Sequence, residues 1–206
     1  MIPKGSGGTD AGKPLTDPNL IMIGGDVTKQ SDVDQVFAKA KIDGVIVALG
    51  GKTADVGDTM LTDGTKNIIT AMKNNNVKRM AVVTSIGVGD SEKQAPFFFK
   101  VLMYTAMKKI FSDKNNQEAI VVGSGLDYCI VRPGGLTVEP PTGIINVIQG
   151  EAGSIARADV ASFCLGAVTQ EDFEYIGKAP CISSVGGTGW VKDRSAKARM
   201  GDAVEK

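Results

Sequence analysis

The chain of 206 residues contains no histidine. Without an imidazole, Ser–His and Cys–His nucleophilic centres are excluded, and with the commonest zinc ligand missing no metal site is expected. Cysteine is scarce: Cys129, Cys164 and Cys181 lie far apart among apolar neighbours. An odd, unclustered set argues against a disulfide framework and fits a reducing compartment. A cytoplasmic location is therefore expected, or an organellar one if a targeting segment lies upstream. No apolar run is long enough to cross a bilayer, and no charged-then-apolar leader opens the sequence. Neither sign of charge prevails, with 23 Lys and Arg against 23 Asp and Glu. That balance gives no reason to expect a nucleic-acid partner or attraction to a membrane. It leaves the oligomeric state open.

Glycine, by contrast, is plentiful, with 26 residues. Gly7 to Pro14 reads GGTDAGKP, which has the glycine–lysine spacing of a phosphate-binding loop. Such a loop needs a buried strand before it, a Ser or Thr after its Lys, and a helix N-terminus directly behind. Met1 to Gly5 is too short and polar for that strand, Pro14 replaces the hydroxyl, and LTDPN (Leu15 to Asn19) reads as a turn. The expectation for residues 1–18 is a flexible Gly-rich segment.

Beyond it, strand and helix patterns alternate. Leu20 to Ile23 is a short apolar run closed by Gly24-Gly25, the pattern of a buried strand. Ser31 to Asp34 resembles a capping box ahead of Val33, Val36, Phe37 and Ala40 at helical spacing. Gly44 to Leu49 (GVIVAL) is continuous and β-branched, as in a strand covered on both faces. Leu61 to Met72 carries a helical stripe ended by three asparagines, and Arg79 to Thr84 reads as a strand. The region Pro96 to Val122 reads as helix with a break near Ser112-Asp113. Tyr128 to Val131 is a strand ended by RPGG, and Asp159 to Val168 is a helix. The alternation predicts an α/β fold, a doubly wound parallel sheet, over residues 19–184, with a loose polar tail over 185–206. Ligands in such sheets bind beyond the carboxyl ends of the strands. Those ends are Gly24 to Val27, Ala48 to Gly51, Thr84 to Gly87 and Arg132 to Leu136, each also readable as a plain turn.

The stretch DKNNQEAIVVGSGLDYCIVRPGGLT (Asp113 to Thr137) resembles the atypical short-chain dehydrogenase/reductase superfamily. It is closest to the NAD(P)H-binding branch that resembles flavin reductase and biliverdin reductase B. GDVTKQSDV (Gly25 to Val33), VVTSIG (Val82 to Gly87) and IARADVASF (Ile155 to Phe163) match in the same order. The resemblance implies NADP or NAD as cofactor and a small-molecule acceptor as substrate. Hydride would pass to a flavin, quinone or related conjugated acceptor. It also implies residue roles. Asp26, with Val27 beside it, would meet the adenine, although a carboxylate there can equally cap a turn. Ala48, Leu49 and Gly50 would lie under the adenosine ribose. Thr84 and Ser85 would face the nicotinamide, although Ser85 can instead bond its own backbone. Lys114 would reach the nicotinamide ribose, and Pro133 and Gly134 the carboxamide; Ser85 and Lys114 are the expected catalytic pair. Tyr104 and Lys108 spell the YxxxK of short-chain dehydrogenases, but the spacing to RPG selects Lys114, so that pair is expected to be coincidental and stands as the secondary candidate. Phe97-Phe98-Phe99 could wall a ring pocket or simply pack in the core.

The superfamily pattern opens with a strand, a Gly-rich turn, a helix and a second strand before GDV. The few residues ahead of Gly25 do not read that way, so the Rossmann-like fold is expected to be N-terminally incomplete. Three accounts compete: an incomplete reductase, a variant that acts as a non-enzymatic dinucleotide sensor or interaction protein, and a permuted arrangement using GGTG (Gly186 to Gly189).

Overall fold

The computed structural model describes Lys13 and residues 16–50, 57–150 and 152–184. Gly7 to Pro14 other than Lys13, the GGTG motif and the 185–206 tail lie outside the described residues. Helix α1 (Gln30–Phe37) leads into strand β1 (Gly44–Val47), helix α2 (Met60–Asn74) and strand β2 (Arg79–Val83). A 3-10 turn at Gly89–Gln94 precedes α3 (Phe97–Tyr104) and α4 (Lys108–Val122). Strands β3 (Asp127–Pro133), β4 (Gly135–Thr137), β5 (Ile145–Val147) and β6 (Ser154–Ala156) follow, then α5 (Arg157–Thr169) and β7 (Cys181–Ser184).

The main sheet has the order β1-β2-β3-β7-β5, parallel except for β5, while β4 and β6 form a small parallel pair. Side chains alternate across it as strand geometry requires. Met80, Val82 and Ile130 pack with Ile69 and Met72 of α2 and Val121 of α4 on one face. Ala81, Cys129 and Val131 pack with Phe163, Cys164 and Ala167 of α5 on the other. Helices on both faces of a mostly parallel sheet confirm the doubly wound α/β architecture. The helix α2 stop reads as expected: Asn76 takes φ 57°, a left-handed turn that Asn tolerates better than most residues.

Several expectations are corrected. Leu20 to Ile23 forms no strand, and Leu20, Ile21 and Met22 are exposed. A strand needs a ladder partner for its backbone groups, and β1 is the last strand of the sheet on that side. No capping box forms: α1 starts at Gln30 without a side-chain cap, and the Asp32 carboxylate accepts instead from the Asp26 amide at 2.9 Å. The helical break falls at Thr105 to Met107 rather than at Ser112-Asp113. Thr105 leaves helical geometry (φ −110°, ψ −95°), whereas Asp113 stays in α4 because its carboxylate has a partner across the interface.

Candidate functional site: the carboxyl edge of the sheet

Parallel pairing of β1, β2 and β3 puts their carboxyl ends side by side, which brings Ala48 to Gly50, Thr84-Ser85 and Pro133-Gly134 to one edge. Main-chain bonds continue the ladder past the strand ends. The Thr84 amide donates to the Val131 carbonyl at 2.8 Å and the Ile86 amide to the Pro133 carbonyl at 3.1 Å. Lys114, on the first half of α4, reaches this edge and donates from Nζ to the Thr84 carbonyl at 3.3 Å. Burial pulls the Lys114 pKa below its ordinary value, and the carboxylates of Glu118 and Asp113 oppose that pull. Thr84, Ser85, Lys114, Pro133 and Gly134 thus form one cluster.

Not every side chain in the cluster is free. The Thr84 hydroxyl is buried and donates to Glu118 Oε1 at 2.6 Å, so it serves the fold. The Ser85 hydroxyl, half-buried, donates to the neighbouring Ile86 carbonyl at 2.9 Å. Gly134 sits where only glycine fits: an added Cβ would lie 1.9 Å from the Gly153 carbonyl oxygen.

The adenosine-side residues form a second group. Val27 and Leu49 meet over α2, since a Cβ on Gly64 would lie 2.7 Å from Val27 Cγ1 and 3.2 Å from Leu49 Cδ1. The Val27 carbonyl accepts from Asn67 Nδ2 at 3.0 Å. Ala48 and Gly50 are exposed, and among the described residues nothing lies within 4 Å of a Cβ on Gly50. Asp26 caps its own turn, accepting from the Thr28 hydroxyl at 2.7 Å and amide at 3.0 Å. Those bonds, the hydroxyl first, hold its carboxyl below the usual range. Asp26 also lines an apolar groove of about 350 Å³ with Ile23, Val27, Val36, Phe37 and Ile46. That groove opens where β1 has no neighbour among the described strands, and Ile46 of β1 is 44% exposed there.

Sequence reasoning gave no role to the charged network behind the cluster. Arg132 is 5% exposed and donates to both oxygens of buried Glu118, from Nε at 3.0 Å and from Nη2 at 2.6 Å. Its Nη1 donates to Asp90 at 2.6 Å. Burial alone would lower the Arg132 pKa, but Glu118 and Asp90 outweigh it and drive it up. Gly89 must lie close to this guanidinium. Its φ is 58°, and an added Cβ would come within 2.6 Å of Arg132 Nη2. The available signals were Glu118 four residues after Lys114 and the Arg of RPG.

Tyr104 and Lys108 do not form a catalytic pair in this fold. Tyr104 ends α3 and Lys108 begins α4, so the break removes the single helical turn that YxxxK requires. The Tyr104 hydroxyl donates to Glu92, and that bond raises its pKa, the wrong direction for an acid–base tyrosine.

Residues 10–171 match the family of NAD(P)H-binding domains. The chain belongs to the NAD(P)H-binding family. An uncharacterized chloroplastic protein of Arabidopsis thaliana is 30% identical over 171 residues, covering 77% of this chain and 59% of that protein. An uncharacterized sugar epimerase, YhfK, of Bacillus subtilis is 30% identical over 146 residues, covering 68% and 64%. The chain therefore spans about three-fifths of the length of these curated relatives. Among solved structures, ChuY, an anaerobilin reductase from Escherichia coli O157:H7, aligns at TM-score 0.65 with 26% identity, covering 80% of this chain and 75% of ChuY. A short-chain dehydrogenase/reductase of Veillonella parvula, solved with NADP, shares the fold at TM-score 0.62 and 15% identity, covering 80% and 72%. The likeness to ChuY agrees with the resemblance to the atypical short-chain group, and the family match with NAD(P) as the cofactor class.

The two ends of a dinucleotide fit this edge better than its middle. No described residue crowds Gly50, the position expected under an adenosine, and Lys114 lies against Thr84, the position expected at a nicotinamide ribose. A diphosphate is normally held at a helix N-terminus. The N-terminus of α2 is already filled: Asp113, 1% exposed, accepts from the Leu61 amide at 2.8 Å and the Thr62 amide at 3.0 Å, and binds the Thr62 hydroxyl. A second anion there would face that buried carboxylate, so the α2 N-terminus is not fitted to hold a diphosphate.

Proposed function

We propose that this chain forms the catalytic core of an NAD(P)H-dependent reductase that passes hydride to a flavin, quinone or related conjugated acceptor. The observation that carries the reading is Lys114 Nζ on the Thr84 carbonyl, at the carboxyl edge between Ser85 and Pro133-Gly134. Family membership and the likeness to an anaerobilin reductase support it. When bound, a reduced nicotinamide supplies hydride, two electrons with one proton. Lys114, held on the main chain beyond β2, has two further N–H donors for ribose hydroxyls. Ser85 can turn its hydroxyl from the Ile86 carbonyl toward a carboxamide or an acceptor carbonyl. Gly134, with no side chain, keeps the floor of the corner low. Hydride transfer between stacked rings depends mainly on apposition, and water at the open edge supplies the second proton. Three buried unpaired thiols accord with a reducing compartment, either the cytoplasm or, as for the Arabidopsis relative, an organelle.

Calorimetric titration with NADPH and NADH, followed by acceptor-dependent NADPH oxidation, tests this reading. Lys114→Ala is expected to weaken cofactor binding by about tenfold, the loss of one or two charge-assisted hydrogen bonds. Lys108→Ala should change it by less than about twofold, since its side chain lies beyond the broken helix. The reverse ranking would sink the assignment. A second reading, a dinucleotide sensor or interaction protein without turnover, is favoured by one observation, the occupied α2 N-terminus. Tight binding without oxidation of NADPH would select the sensor. Absence of binding by a folded chain would select the interaction protein.

A further inference from the structure

Helix α3 carries a surface that the reductase reading does not use. Its sequence is FFFKVLMY. At about 100° per residue, Phe99 and Met103 share one side, where they pack with Phe111, Ile86, Val88 and Cys181. Phe97, Phe98, Val101, Leu102 and Tyr104 spread over the opposite side and are exposed, Phe97 by 72% and Phe98 by 83%. Phe97 and Phe98 stack edge to face at 5.8 Å, and both are largely exposed. Scattered exposed apolar residues are ordinary, but five on one eight-residue helix form a patch that marks a contact surface.

The charge around the patch states what kind of surface it meets. The chain is neutral overall, yet between Lys93 and Ser112 it carries Lys93, Lys100, Lys108 and Lys109 and no Asp or Glu. Of the carboxylates just before this run, Asp90 is paired with Arg132, while Glu92 accepts from the Tyr104 hydroxyl and keeps its negative charge at one edge of the patch. Lys109 is paired with Asp58 at 2.9 Å, and Lys93, Lys100 and Lys108 outnumber Glu92, so the surroundings of the patch carry a net positive charge. Aromatic and aliphatic side chains with an excess of lysines beside them are the composition of a surface that lies in the interfacial plane of an anionic bilayer. None of the described helices is long and apolar enough to cross a membrane, so such contact would be peripheral.

We propose that α3 docks this protein on the surface of an anionic lipid membrane, with Phe97, Phe98, Val101 and Leu102 entering the headgroup–acyl boundary and Lys93, Lys100 and Lys108 meeting lipid phosphates. The expectation drawn from net charge was no membrane attraction; the balanced total conceals this local excess. The docking does not depend on hydride transfer, and its test uses no cofactor. If both hold, a lipophilic acceptor would enter from the bilayer side, because Ile86, one residue past Ser85, packs in the same cluster as Phe99 and Met103.

Sedimentation with large vesicles tests the docking. The purified chain should pellet with vesicles of equal parts phosphatidylcholine and phosphatidylglycerol, bind pure phosphatidylcholine at least about tenfold more weakly, and lose binding as salt rises. Phe97→Ser with Phe98→Ser should lower the partition by about tenfold or more, and Lys100→Glu by about fivefold. Leu165→Ser, which removes an exposed apolar residue on α5, should leave it unchanged. Circular dichroism melts of each variant establish that the fold persists. A wild-type chain that stays in the supernatant with anionic vesicles overturns the proposal. So does equal binding by the double variant, or a dimer that the double variant dissolves while vesicles remain unbound.

Discussion

Gly134 makes the tightest demand of any single residue at the candidate site. Its missing Cβ leaves the Gly153 carbonyl in place, and that contact joins the end of β3 to the segment before β6. Gly134→Ala must push the two backbones apart, and a cost of about 3 kcal/mol is expected by urea titration. Gly24→Ala, with nothing within 4 Å of the added carbon, should stay within about 0.5 kcal/mol. Asp159 acts through charge instead. It is 1% exposed and accepts from the Thr142 amide and hydroxyl, the Gly143 amide and the Ser184 hydroxyl. Burial acts to raise its pKa, but these donors overcome it and the carboxyl ends below its ordinary value. A depressed folded pKa stabilises above the unfolded value and is lost as pH falls through the folded one. Asp159→Asn should therefore cost about 1–2 kcal/mol at pH 7. Its penalty should shrink below roughly pH 4. Thermal melts of both proteins across pH check the crossover.

Between elements, the Arg132–Glu118 pair joins β3 to α4 and, through Thr84 and Asp90, to the segment after β2. Its worth lies in register rather than in net stability. A buried pair roughly offsets its own desolvation, while a single charge left behind does not. Arg132→Met alone should cost about 3–5 kcal/mol, since it strands Glu118. Arg132→Met with Glu118→Leu should recover most of that, a coupling that a double-mutant cycle in urea measures directly. Additive losses would show that the two side chains act separately. Asp113 works similarly between α4 and α2, filling the α2 N-terminus from a neighbouring helix. That bond explains both why α4 runs unbroken through Asp113 and why α2 offers no anion site.

On the scale of the whole molecule, the sheet divides two apolar cores, and the cysteines report on its cohesion. Cys129 and Cys164 share one core, where burial pushes their thiols up to about 12 and about 11. Cys181, in the cluster beneath α3, is raised by burial as well. A thiol must ionise to react, so native protein at pH 8 should resist an aromatic disulfide reagent. Labelling in urea should then follow the loss of helical circular dichroism. A thiol that reacts well before that transition would reveal local opening of its core.

The α/β class, the two-faced sheet and the positions of β1, β2 and β3 were written in short-range patterns: continuous β-branched runs at Gly44 and Arg79, the run at Tyr128, and apolar spacing over Leu61 to Met72. The NAD(P)H-binding family was legible in Asp113 to Thr137, because Lys114 and the RPGG turn occur at set distances along one stretch of chain. Four things were settled only in three dimensions. Leu20 to Ile23 remained unpaired because a strand is defined by its neighbour. The helical break moved because the Asp113 carboxylate had a partner 52 residues away. Tyr104 and Lys108 were separated by a turn that no periodicity marks. The residues Glu118 and Arg132 were visible in their motifs, but their pairing with each other and with Thr84 was not, because they sit on α4, on β3 and just past β2. Local patterning sets what each segment can be, since it acts through neighbours a few residues away. Which carboxylate meets which amide or guanidinium is decided only when the sheet and helices close, because those partners are distant in sequence and meet across packed faces.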